Sequence, residues 1–203
     1  LYVVYDDYNK LLGSVYNKVQ VFDCEDRFKK IKDIQVKGMS YPDDMVGCSV
    51  TSQLFVSDYA NVNNIWRVNV NTGVSDVFIK LGYCARLSLV ENRLLVTSDD
   101  SLLMYDIHSG QRIKNIPLTE DMEKHGVNHA IESNRDSFFV SHELSHGPFG
   151  NRTVSEIDSE GREIPVFSNK QCFDCGYLAL DSVGRLFVRD WIARRVVLLD
   201  KHL

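Results

Sequence analysis

An all-β fold built from repeated four-stranded antiparallel sheets is what the sequence predicts, and three observations predict it. An apolar strand ending in Val and then a polar or acidic residue recurs five times, as Leu1–Asp6, Leu54–Asp58, Leu94–Asp99, Phe138–His142 and Leu186–Asp190. Its anchor valines, Val3, Val56, Val96, Val140 and Val188, lie 53, 40, 44 and 48 residues apart, a period that marks stacked supersecondary units. Turn chemistry punctuates each unit at matching places, and no stretch longer than a turn or two has helical periodicity.

Taken in order, each anchor strand is followed by a second apolar strand: Val19–Asp23, Ile65–Asn69, Leu102–Asp106, Val154–Asp158 and Val196–Asp200. Asn69 to Gly73, Asp106 to Gly110 and Asp158 to Gly161 then place Asx at the start of a turn and Gly near its end. The Asx side chain accepts a backbone N–H across such a turn, and Gly supplies the positive φ. A third strand leaves each turn, over Phe28–Val36, Ser75–Ile79, Arg112–Ile116 and Glu163–Phe167. A fourth precedes each anchor from the second onward, over Cys48–Thr51, Arg86–Val90, His129–Glu132 and Tyr177–Asp181. Four antiparallel strands in 40 to 50 residues are the anatomy of a β-propeller blade. The units run approximately over residues 1–37, 48–80, 85–118, 128–168 and 177–203, with the first lacking its innermost strand and the last its outermost. About five blades in a single domain are therefore expected, as part of a six-bladed ring, with a five-bladed or open arc as the second choice. Thr119–His125, with Thr at an N-cap position and acids behind it, fits one helical turn between blades.

Composition sets the outer bounds. A chain of 203 residues that is 44% hydrophobic is long enough for one substantial core. No apolar run reaches the roughly 18 residues needed to cross a bilayer, so no membrane insertion is expected. The opening Leu1–Asp7 lacks both Met and a leader pattern, which implies a fragment or processed chain and leaves the compartment open. A net charge of −5 disfavours nucleic-acid binding, since polyanion binders carry a basic stripe; Lys29-Lys30-Ile31-Lys32 reads as an exposed strand face. Five cysteines and the sequon Asn151-Arg152-Thr153, a glycosylation candidate, tilt the expectation toward an oxidising, extracellular compartment.

Two stretches carry a family resemblance. Leu54–Ile65 and Tyr177–Asp200, the latter containing Val188-Arg189-Asp190-Trp191-Ile192-Ala193-Arg194-Arg195-Val196, resemble NHL repeats of the six-bladed TolB-like class. The family pattern is an apolar strand, Val-x-Asp, then x-x-Asn-x-Arg-Val or Ile. Asp caps the turn and Asn tolerates a left-handed backbone. The chain departs from the pattern at Ala193, where Asn is usual, at Asn64, where Arg is usual, and at Ser98–Ser101, where the long turn is lost. The resemblance implies a propeller, and two enzymatic precedents come with it. NHL-type lyases hold zinc with His from several blades, and here His129 alone sits on an inner strand. Gluconolactonase-type propellers hold a channel ion with Glu, Asn and Asp, and Asn128 would be one such ligand. The matching places in other units carry Gly47 or Cys48, Ala85 or Arg86, and Gly176 or Tyr177, short of the six to eight oxygens that Ca²⁺ takes.

The remaining candidates are surface features. His125 and His129, and His142 and His146, are four apart, a spacing that joins imidazoles on a helix but not on a strand. Cys172-Phe173-Asp174-Cys175 is a CxxC without a second pair; a Cys172–Cys175 bridge, a link from Cys84 to either, and unpaired, partly buried thiols all stay open, with the last favoured. Loops joining anchor to second strand share one face of a propeller and vary most, which is where recognition resides. His142, Glu143, His146 and Phe149 in the longest of them, with Tyr59, Trp191 and Arg194, are the binding-loop candidates. The reading is a non-enzymatic scaffold that binds a protein partner, with no cofactor implied and with association through truncated blade edges as a further route. A metal-dependent hydrolase or lyase with a channel ion is the alternative.

Overall fold

The computed structural model describes residues 2–5, 10–15, 17–23, 25–59, 63–83, 85–98, 100–133, 136–143, 152–164 and 175–199. They form five sheets, each made of strands consecutive in the chain. Sheet one holds β1 (Tyr2–Tyr5), β2 (Lys10–Val15), β3 (Lys18–Asp23) and β4 (Lys29–Gln35). Sheet two holds β5 (Pro42–Cys48), β6 (Gln53–Asp58), β7 (Asn64–Asn69) and β8 (Ser75–Lys80). Sheet three holds β9 (Arg86–Val90), β10 (Arg93–Thr97), β11 (Ser101–Asp106) and β12 (Arg112–Pro117). The helix α1 (Glu120–His125) precedes sheet four, which holds β13 (Val127–Glu132), β14 (Phe138–Glu143), β15 (Arg152–Ile157) and β16 (Glu163–Ile164). Sheet five has three strands, β17 (Cys175–Leu180), β18 (Leu186–Asp190) and β19 (Arg195–Leu199). The chain is thus an all-β propeller of antiparallel sheets, with four complete four-stranded blades and a three-stranded fifth sheet among the described residues.

Sheet one corrects the expected start of the repeat. Its first strand is the inner one, and the missed strand β2 holds the anchor position. Lys10 pairs with Asp23 as Gln53 pairs with Asn69, so Gly13 stands where Val56 stands, 43 residues earlier. The irregular 53-residue spacing came from aligning Val3 instead. The inner strand of sheet two is likewise Pro42–Cys48, not Cys48–Thr51; residues 49–52 turn, with Ser52 at φ 53°. Its Pro, acidic pair and Gly hide a strand in which Asp44 is buried. The Thr119 hydroxyl caps α1 by accepting the Met122 N–H, and Met122 is fully buried.

The chain divides into two compact units, Leu1–Arg93 with Asp106–Gly110, and Leu94–Tyr105 with Gln111–Leu203. In the first unit the core joins Val19 and Val21 of β3 and Ile34 of β4 to Met45, Leu54, Val56, Trp66 and Val68 of sheet two. Leu54 through Asp58 are buried without interruption, because apolar neighbours cover both faces of β6 and alternation gives way to a continuous apolar run. In the second unit one cluster joins Leu102, Met104 and Ile116 to Ala130, Phe138, Val140 and Ile157. Another joins Ile131, Phe139 and Val154 to Leu178, Leu186 and Val188. Each such side chain contributes about 1.5–3 kcal/mol on burial, so sheet-to-sheet packing carries most of the stability.

A polar bond accompanies this packing at one register position. In the first unit the buried Asp44 of β5 accepts from the N–H of Leu87 on β9 (2.8 Å) and from its neighbour Met45 (2.9 Å). Asp43 beside it forms an ion pair with Arg86. In the second unit His129 of β13 accepts through Nδ1 from the N–H of Leu178 on β17 (3.4 Å). Asp44 lies opposite Ser57 and His129 opposite Ser141, the residues that follow anchor Val56 and Val140, so the two positions are equivalent. Each hydroxyl ties the latch residue to its own sheet, Ser57 Oγ by accepting the Asp44 N–H (2.9 Å) and Ser141 Oγ by meeting the His129 carbonyl (3.2 Å); Ser141 Oγ also reaches the Gly176 carbonyl of the next sheet (2.6 Å). A buried inner-strand side chain thus ties each of these sheets to the next.

Burial raises the Asp44 carboxyl from 3.8 to about 6, with the Leu87 and Met45 N–H groups opposing the rise. The folded chain therefore holds that proton more tightly than the unfolded chain. The ionised carboxyl costs nothing below about pH 4, progressively more as pH rises toward 6, and on the order of 3 kcal/mol above it. Denaturant titrations of the wild type and Asp44→Asn from pH 4 to 7 should show the difference moving in favour of Asn up to about pH 6 and then levelling; a pH-independent difference would contradict this. Gly161 has φ +82° and an added Cβ would collide with the Pro117 carbonyl oxygen, whereas Gly73 (φ +76°) has only Ile34 Cγ2 at 3.8 Å. Gly73→Ala should cost about 1–2 kcal/mol from backbone strain alone, and Gly161→Ala at least twice that, read from urea denaturation midpoints.

Candidate functional site

The turn between β18 and β19 is built around a carboxylate with no exposed side-chain surface. Asp190 accepts from the Ala193 N–H (3.2 Å) and from Arg195 Nε (3.2 Å), its side chain 0% exposed. The Arg194 N–H closes the turn on the Trp191 carbonyl (3.2 Å), with Arg194 in the left-handed region at φ 52°. Fixed in this way, the turn holds Trp191 and Ile192 outward, 63% and 59% exposed, with Val196 of β19 65% exposed behind them. Apolar side chains of this size stay exposed here because the buried acid, not a hydrophobic contact, defines the turn.

Arg189 completes the surface. Its guanidinium carbon lies 4.3 Å from the Trp191 ring centroid and 5.9 Å from that of Tyr177. Tyr177 in turn lies 5.5 Å from the His129 ring, tilted at 44°. A stack thus runs from the latch residue His129 through Tyr177 and Arg189 to Trp191 at the surface. Such cation–π contacts add about 0.5–1 kcal/mol each at exposed sites and orient the guanidinium more than they stabilise the fold. The cleft that results has a volume of about 710 Å³ and is lined by Arg189, Asp190, Trp191, Arg194, Arg195 and Val196. Asp190 neutralises Arg195. Among the described residues no carboxylate forms an ion pair with Arg189 or Arg194, so the cleft holds two uncompensated positive charges in a chain of net charge −5.

The sequence candidates fall in different places. Trp191 and Arg194 line this cleft. Tyr59 belongs to the first unit and is 67% exposed. His142 lies on β14, within the predicted anchor strand, opposite Thr153, and at 2% exposed it is not the surface contact expected of a binding-loop candidate. Its Nδ1 donates to the Glu143 carbonyl (3.1 Å) and Nε2 accepts from the Ser155 hydroxyl (3.0 Å), while burial lowers its pKa and favours the neutral ring. Glu143 forms an ion pair with Arg152 (3.2 Å). His129 is engaged as the latch, and Asn128 falls at the bulge between β13 and β14. Among the described residues no three His, Cys, Asp or Glu side chains gather around one point. Cys175 is buried and disulfide-bonded, which corrects the reading of unpaired thiols there; Cys48 is a buried free thiol. His146, Phe149, Asn151, Cys84 and Cys172 lie outside the described residues.

Sequence reasoning missed Arg189, Arg195, Val196 and Tyr177 as members of a site, although one signal was present. The residue after the anchor valine is Ser57, Thr97 and Ser141 in three sheets and Arg189 in the fifth. A small hydroxyl, which at Ser57 and Ser141 bonds the inner strand, is replaced by a long cation that lies over the Tyr177 ring.

No family model matches the chain, and no curated protein sequence matches it. Solved structures do. The chain is similar to the WD40 β-propeller domain of Doa1, at 17% identity over 99% of this chain and 64% of that one, with a TM-score of 0.70. It is similar to the Myceliophteria thermophila Cps50 (Swd1) β-propeller domain, at 14% identity over 93% and 62%, with a TM-score of 0.67. It is similar also to a chain of the nidogen/laminin complex, at 12% identity over 95% and 74%, with a TM-score of 0.71. The chain therefore spans a little under two thirds of the length of the first two. At these identities the likeness establishes the fold, and the fold is the β-propeller.

Proposed function

We propose that the chain is a protein-binding module whose docking surface is the β18–β19 end of sheet five. The observation that carries this reading is the pairing of exposed Trp191 with a stacked Arg189 at the mouth of a cleft. Trp and Arg are the residues most enriched at the energetic centres of protein interfaces, and an exposed apolar cluster rimmed by charge marks such a site. The propeller type we propose is the NHL-like, six-bladed one. Its support is that Asp58 and Asp190, which close the two Val-x-Asp motifs, both accept turn or loop N–H groups: Asp58 from Ser40 (3.0 Å) and Tyr41 (2.7 Å), Asp190 from Ala193. An oxidising compartment is part of the same proposal, supported by the Cys175 disulfide.

Position-specific photocrosslinking tests the docking surface. A crosslinker placed at Ile192 should capture a defined partner band from the native source, and one at Val183 should not. Val183 is equally exposed (72%) but lies on the turn between β17 and β18, at the other end of β18. Trp191→Ala should weaken recovery of that band about tenfold or more without shifting the thermal midpoint, since the ring is largely solvated. Equal capture from both positions, or a band indifferent to Trp191→Ala, would remove this surface from consideration.

A further inference from the structure

We infer that the cleft beside β18 and β19 takes an extended acidic peptide segment, with carboxylates on Arg189 and Arg194 and an aliphatic side chain against Trp191 and Val196. This rests on the protein-binding reading and adds the chemistry of the partner. Arg195 is spoken for by Asp190, which leaves the guanidinium groups of Arg189 and Arg194 as the donors facing solvent. Guanidinium forks match carboxylates in bidentate geometry. Arg189 is held by its stack on Trp191 (4.3 Å) and is therefore oriented before a ligand arrives, which lowers the ordering cost of binding. The exposed Trp191, Ile192 and Val196 supply apolar surface beside the charges, so the complementary segment is acidic and aliphatic rather than acidic alone. The net charge of −5 over the whole chain repels polyanions that need a long track, while a short acidic motif meets only the local positive field. A nucleic acid would also stack on Trp191, but Asp190 neutralises Arg195, which leaves two cations where a phosphate backbone follows a continuous run of them.

The test is selection of a random heptapeptide library, displayed on phage, against the full chain at physiological salt. A synthetic version of the enriched consensus is then titrated by fluorescence anisotropy. Enriched sequences are expected to pair acidic residues with Leu, Ile or Val, and Arg189→Glu or Arg194→Glu should weaken the synthetic peptide roughly tenfold each. Raising the salt should weaken the wild type and leave the charge-reversed variants nearly unchanged. Enrichment without acidic residues, binding indifferent to both reversals, or no enrichment at all overturns the inference. If the photocrosslinked band persists under any of those outcomes, the docking surface stands and only the acidic partner falls. Tight binding of a short single-stranded RNA, lost in Trp191→Ala, would overturn both.

Discussion

A backbone N–H at the inner strand of one sheet, satisfied by a buried side chain of the sheet before it, is the constraint on which the rest of this structure depends. Apolar packing between sheets is strong but tolerant of small slides, whereas a buried amide left without an acceptor costs roughly 1–3 kcal/mol. Asp44 meets Leu87 in the first unit and His129 meets Leu178 in the second, at equivalent register positions. The two solutions differ chemically. Asp44 brings a full charge into a site that burial makes unfavourable for it, softened by Arg86 beside Asp43. His129 accepts through a ring nitrogen, and Ser141 adds a second bond to the Gly176 carbonyl. The same position therefore carries an acid in sheet two and an imidazole in sheet four.

The candidate site grows out of that same position. In sheet five Tyr177 stands just before Leu178, which pairs with the anchor Val188, and Arg189 follows that anchor where Ser57 and Ser141 follow theirs. Neither suits a compact buried bond; both suit stacking, and they carry the line of contacts outward to Trp191. Asp190, one residue on, is buried as turn acids are and spends its lone pairs on the turn and on Arg195. The repeat thus supplies rigidity, and a departure from the repeat supplies the surface. A site placed on strand ends keeps its geometry better than one placed on a free loop.

What was legible in the sequence follows from which residues obey local rules. The Asx turns at Asn69, Asp106 and Asp158 read directly, because side-chain acceptors and a positive-φ Gly are local chemistry. The apolar strands β6, β11 and β14 read directly for the same reason. The strand β5 did not, since Pro42, Asp43 and Asp44 look like a loop until the acceptor role of Asp44 is known. Nor did β2, where Gly13 stands in the anchor position. His142, the last residue of its predicted strand, was expected to face a partner, although its ring is buried and bonded to Glu143 and Ser155. The cleft was half legible: Trp191 and Arg194 stood out, while Arg189 gained meaning only when the fold brought the Tyr177 ring, on the preceding strand, within reach of its guanidinium.

Hydrogen exchange at the Leu87 and Leu178 amides tests the central claim most directly. If buried side chains of the preceding sheets hold these N–H groups, both should exchange only through large-scale opening, orders of magnitude more slowly than exposed turn amides such as Asn71 and Val183. Exchange at Leu87 and Leu178 as fast as at those turns would mean that apolar packing alone joins the sheets and that the latch position has no structural role.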